Sequence, residues 1–180
     1  MKKTIVFFVI VLAVLACKNS EKTSTEEMQE VKMTAHSKVD QSPCNVLTDA
    51  EIKKALAIPA DVETNTIKES TPYPVCYYKW ESITFPYEVF NGRMADHPAE
   101  LSIVWAVHVN KKLYEQSISV YKDPEKINYV GEMATWSKKM GQITFLKEGN
   151  LIHVKAETSA DEDSNKSKTI KIAKLFAEKL

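Results

Sequence analysis

The chain has 180 residues, with 24 Lys and Arg against 24 Asp and Glu, and three cysteines. Basic and acidic residues alternate along most of its length, which argues against a nucleic-acid partner, since that would call for a basic patch to neutralise phosphates. Glycine occurs only at Gly92, Gly131, Gly141 and Gly149, too scattered for a phosphate-cradling loop, and no Gly-x-Ser-x-Gly elbow is present to activate a nucleophile.

Lys2 and Lys3 precede an unbroken apolar run of twelve residues, Ile5 to Ala16. That is short of the ~20 residues needed to cross a ~30 Å hydrocarbon core, so residues 1–16 read as a removable signal peptide. The junction Val14-Leu15-Ala16-Cys17 resembles the lipobox of bacterial lipoproteins, in which the cysteine is acylated and becomes the first residue of the mature chain. The resemblance implies lipidation of Cys17, with several palmitate-like chains contributing ~0.8 kcal/mol per buried CH₂ to a durable membrane anchor. It also implies a place in the cell envelope, at the outer membrane if the cell is Gram-negative. The alternative is ordinary secretion with Cys17 a spare thiol. Removing Lys2 and Lys3 takes the basic count from 24 to 22 against 24 acids, a formal mature charge of −2.

From Cys17 to Pro43 the chain is rich in Lys, Glu, Ser and Thr, has no aromatic residue, and spaces Val31, Met33 and Val39 too widely for an apolar face. It reads as a disordered tether with a root-mean-square reach of ~30 Å. The rest, 44–180, has the size and apolar content of one globular domain. With Cys17 acylated, the remaining pair Cys44 and Cys76 is expected to bridge in an oxidising compartment, worth roughly 3–4 kcal/mol in the loop-entropy model; the alternative is two free buried thiols.

In chain order, Thr48 with Glu51 forms a capping box, Leu47 with Ile52 a hydrophobic staple, and Pro59 a stop, giving a helix that buries Ile52, Ala55 and Leu56. Asp61 to Thr71 is polar and reads as a loop. Val75 to Glu81 alternates, with Cys76, Tyr78 and Trp80 on one face, and Leu101 to Val109 alternates likewise, so both read as half-buried strands. Tyr114, Ile118 and Tyr121 at helical spacing predict a helix over Lys111 to Tyr121. Met133 to Trp136, Gln142 to Lys147 and Leu151 to Ala156 predict an antiparallel meander, and the apolar stripe Ile170, Ala173, Phe176, Ala177 and Leu180 a closing helix over Thr169 to Leu180. The sum is an α+β fold, an antiparallel sheet packed against helices in a single domain with one disulfide.

The order of these features resembles a family of small secreted bacterial lipoproteins of unknown function, best known from actinobacteria. The resemblance rests on Cys44-Asn45-Val46-Leu47-Thr48-Asp49-Ala50-Glu51, on Cys76-Tyr77-Tyr78, and on Val130-Gly131-Glu132-Met133-Ala134-Thr135-Trp136, which lacks the family's usual second glycine. It implies an α+β fold with a helix–sheet disulfide, and offers no established enzyme activity to carry over.

No catalytic set and no cofactor are expected. Asp161, Asp163 and Asn165 have the spacing of a calcium loop, but Lys166 and Ile172 stand where that loop needs Gly and Glu, so a solvated turn is expected. Met33 with His36, and Met94 with His97, are weak candidates for a soft-metal set. His108 and His153 are expected on exposed strand positions. Of the aromatics from Tyr73 to Phe90, most are expected in the core, with Tyr77, Tyr87 and Phe90 as the candidate binding surface. The sequence thus points to a membrane-anchored, non-catalytic binding or accessory module with an unidentified protein or small-molecule partner, and secondarily to a carrier of a small ligand or soft metal, or an enzyme with an unrecognised site.

Overall fold

A computed structural model describes residues 42–70 and 72–180. The expected signal peptide, Cys17, and the expected tether as far as Gln41, including Met33 and His36, lie outside the described residues. Among the described residues no helix is long and apolar enough to cross a membrane.

The first helix, α1 (Asp49–Leu56), starts as its sequence dictates. The Glu51 amide donates to Thr48 Oγ1, and the Thr48 amide donates back to the Glu51 carboxylate at 2.8 Å. Ala57, in the left-handed conformation, ends the helix two residues before Pro59. Just upstream, Cys44 lies in a 3-10 turn, Pro43–Asn45, and is disulfide-bonded to Cys76 of strand β2 (Val75–Phe90), with 5.2 Å between the Cα atoms. The bridge fastens the segment that precedes α1 onto the sheet.

Seven antiparallel strands form that sheet in the order β1-β2-β3-β7-β6-β5-β4. The first three, β1 (Asn65–Glu69), β2 and β3 (Arg93–Ala106), make one meander. Helix α2 (Lys111–Ile118) then carries the chain to the opposite edge, where β4 (Pro124–Lys126), β5 (Met133–Ser137), β6 (Gln142–Lys147) and β7 (Asn150–Glu157) return inward until β7 pairs with β3. Alternation places Tyr78, Trp80, Leu101, Ile103, Phe145, Ile152 and Val154 on one face, where they meet Ile52 and Leu56 of α1 and Ile172 and Phe176 of α3 (Glu162–Glu178). Trp105 meets Phe176 edge to face at 5.8 Å between centroids. The other face is covered in part by α2, through Tyr114 against Ala106, Leu146 and Leu151. Gly131 shows why its loop needs glycine: at φ +55, a Cβ there would lie 2.5 Å from the Leu146 carbonyl oxygen.

Several expectations need correction. The polar stretch read as a loop contains β1, whose five residues are all exposed, so neither face carries an apolar signal. Pro124–Lys126, to which no element was assigned, pairs as the opposite edge strand β4. The closing helix begins at Glu162 rather than Thr169: Asp161 is its N-cap, accepting from the amides of Asp163 and Ser164, so Asp163 and Asn165 belong to the first turn and not to a free loop. Most consequential, β2 and β3 run far past the stretches whose alternation could be read, and meet in a two-residue turn at Asn91-Gly92.

Candidate functional site

Strand β7 pairs with β3 only from Glu100 to Ala106, and β1 pairs with β2 only from Val75 to Lys79. Beyond Trp80 and Ala99 the two long strands therefore have only each other, and they project from the sheet as a ribbon of ~20 Å at ~3.4 Å per residue. Asn91 and Gly92 both have positive φ, +46 and +77, the pattern of a type I′ hairpin turn that suits the right-handed twist of its strands. At the ribbon's base the ladder breaks. Trp80 pairs with Ala99 and Thr84 with Pro98, which leaves Glu81, Ser82 and Ile83 as a bulge that adds twist and swings the arm relative to the sheet.

Under the arm lies a groove of about 570 Å³. It is lined by Phe85, Tyr87 and Met94 of the arm, by Trp136 and Ala156 of the sheet, and by Ala160, Asp163 and Asn165 at the start of α3. Lysine–acid pairs rim it: Lys166 with Glu125 at 2.6 Å, Lys138 with Glu162 at 3.0 Å, and Lys155 with Glu157 at 2.8 Å. The mixture of aromatic surface and paired charge suits a ligand with an apolar body and several polar groups better than a purely apolar one. The positive end of α3 is already engaged by the Asp161 carboxylate.

The residues singled out in the sequence fall in different places. Tyr87 lines the groove and is 46% exposed, and Phe90, at the arm's tip, is 69% exposed. Tyr77 is not with them: it is partly buried within the sheet, between Ile67 of β1 and Ser102 of β3. Cys44 and Cys76 are bridged. Met94 is 59% exposed opposite Glu88, while His97 is partly buried between Phe85 and Tyr87, with ring centroids 5.5 and 5.4 Å away. Regular pairing across this stretch sends side chains three apart to opposite sides of the ribbon, so the Met94–His97 spacing is not a chelating one.

Across the bulge that rule fails, and it fails usefully. His97 and Glu100 flank the break, and a ring nitrogen of His97 lies within 4.8 Å of carboxylate oxygens of both Glu100 and Glu157, which in turn lie within that distance of each other. His97 Nε2 is buried and has no hydrogen-bond partner among the described residues. The other such atom, Tyr78 Oη, belongs to a phenol pushed up to about 12, first by burial and then by the Asp49 charge. No motif could have announced the three-residue cluster, because its members come from either side of a bulge and from a strand more than fifty positions on.

A second polar cluster looks superficially catalytic. Thr144 Oγ1 lies 2.7 Å from His153 Nδ1, and Tyr121 Oη and Gln142 Nε2 complete the network. Thr144 is fully buried, however, and no substrate can reach its hydroxyl. Burial pushes His153 down, which favours the neutral ring with Nδ1 accepting from Thr144. This network is internal glue, and it removes His153 from the exposed strand positions where it was expected; of the two, only His108 is exposed, in the bend after β3.

Comparison with known protein families, with curated proteins and with solved structures finds no match to this chain.

Proposed function

We propose that this chain is a lipid-anchored, non-catalytic binding module of the bacterial cell envelope, and that the groove under the β2–β3 arm takes its ligand. The groove carries this reading: it is concave, lined by Trp136, Tyr87 and Met94, and rimmed by three lysine–acid pairs. A site of about 570 Å³ falls in the size range of small-molecule pockets, which favours a small polar ligand or short peptide over a flat protein partner. The lipobox resemblance at Cys17 and a disulfide suited to an oxidising compartment support the envelope location.

Two measurements test the two halves separately. Intact-mass spectrometry of membrane-extracted protein is expected to show a chain starting at Cys17 with acyl chains attached; a soluble chain without lipid would remove the anchor. Native mass spectrometry of the same protein is expected to show a retained non-covalent ligand that Ala160→Trp, which fills the groove from an exposed position, displaces without moving the melting temperature. Equal retention by both proteins, or none by either, overturns the groove as the binding site.

A further inference from the structure

We propose that His97, Glu100 and Glu157 form a binding site for a divalent transition cation of the zinc class, at the point where the arm leaves the sheet.

Glu100 and Glu157 are directly opposite in the β3–β7 ladder, a register in which two like charges repel. Neither is fully solvated, their side chains being 23% and 21% exposed. Their lysine partners offset this only in part: Lys79 stands a loose 3.7 Å from Oε2 of Glu100, and Lys155 takes Oε1 of Glu157 at 2.8 Å. Beside them sits a partly buried imidazole whose Nε2 is buried and unpartnered. Two facing carboxylates and an unsatisfied imidazole are costly together without a cation and complementary around one.

The donor set selects the ion. One imidazole nitrogen with two carboxylate oxygens is borderline rather than soft, which suits Zn²⁺ and its first-row neighbours over Cu(I) or an all-oxygen Ca²⁺ site. The mutual separation of up to 4.8 Å is wider than bound ligands at ~2.0–2.2 Å from zinc would have, so binding draws the side chains inward through rotation of the two glutamates. Because His97 belongs to the arm and Glu157 to the sheet, and Glu157 also lines the groove, the cation would clamp the arm over the groove. The site stands on its own residues and is independent of whether the groove holds a ligand.

The test uses the full chain freed of metal with EDTA, titrated calorimetrically with ZnCl₂, and with MgCl₂ as the hard-ion reference. Zinc is expected to bind one to one with micromolar or tighter affinity, with Mg²⁺ at least tenfold weaker, and to slow amide exchange in Phe85–His97. Glu157→Gln and His97→Gln are each expected to lose at least tenfold in zinc affinity. A purely structural role would lower the melting temperature, whereas the metal-free Glu157→Gln protein, relieved of a like charge, is expected to melt no lower than wild type while losing the zinc response. Glu100→Gln supplies the same reading if either variant fails to fold. Wild-type affinity in the variants, non-saturating uptake, or zinc binding that leaves the arm's exchange unchanged overturns the site.

Discussion

Up to Trp80, and from Ala99 onward, β2 and β3 lie within the sheet, flanked by β1 and β7 and backed by the apolar stripes of α1 and α3; past those residues the same two strands continue as a lone ribbon. In the body, Trp80, Leu101 and Ile103 are completely buried, whereas on the arm Val89, Phe90 and Met94 are exposed. One hydrogen-bonded ladder thus serves two ends. Burial of a face makes the body stable and fixes its register, while a two-stranded ribbon without such a face is only marginally stable in water and free to adapt to what it covers. The groove lies where the two regimes meet, and so do His97, Glu100 and Glu157.

The contrast can be broken first in the body. Phe176→Ala empties a fully buried position against Trp105 and is expected to cost ~3–5 kcal/mol, read from the urea midpoint. A loss below ~1 kcal/mol would mean that the helix–sheet core is not what holds the protein together.

Acid sharpens the comparison more gently. Burial lowers the folded-state pKa of His153, so the unfolded chain binds the proton more readily. The stability contributed by the neutral ring is complete above the unfolded value of ~6.5 and is lost as pH falls from there toward the folded value. Melting temperature should therefore fall between about pH 7 and the lower folded-state value, and His153→Gln should flatten that slope. An unchanged slope would show that the proton is taken up elsewhere.

The smallest effect is expected at the arm's tip. Phe90→Ser should change global stability by no more than ~0.5 kcal/mol, because the side chain is 69% exposed, while arm amides exchange with solvent well before those of β6 and β7. A large destabilisation by Phe90→Ser, or equal protection of arm and body, would show that the ribbon is part of the core.

Where a residue's fate is set by its neighbours in sequence, the chain could be read directly. The capping box at Thr48 and Glu51, the alternation through Cys76, Tyr78 and Trp80, and the stripe through Ala173, Phe176 and Ala177 all describe a buried face or a helix end, and each appears where its pattern puts it. The strands β1 and β4 and the arm were hidden for one shared reason: with both faces exposed, or on the arm mostly exposed, nothing obliges polar and apolar residues to alternate. The arm did carry one local signal, Asn91-Gly92, the dipeptide that a type I′ turn demands.

The sequence by itself determined the capped helix, the half-buried strands, the α+β class and the supply of two cysteines able to bridge, because these depend on periodicity and on the chemistry of adjacent residues. Only the tertiary structure decided that β7 stops pairing at Glu100, that a bulge turns the arm over the sheet, and that His97 and two glutamates converge there. Those outcomes depend on which strands end first and on how far a ladder twists, quantities summed over the whole sheet that no short stretch of sequence encodes.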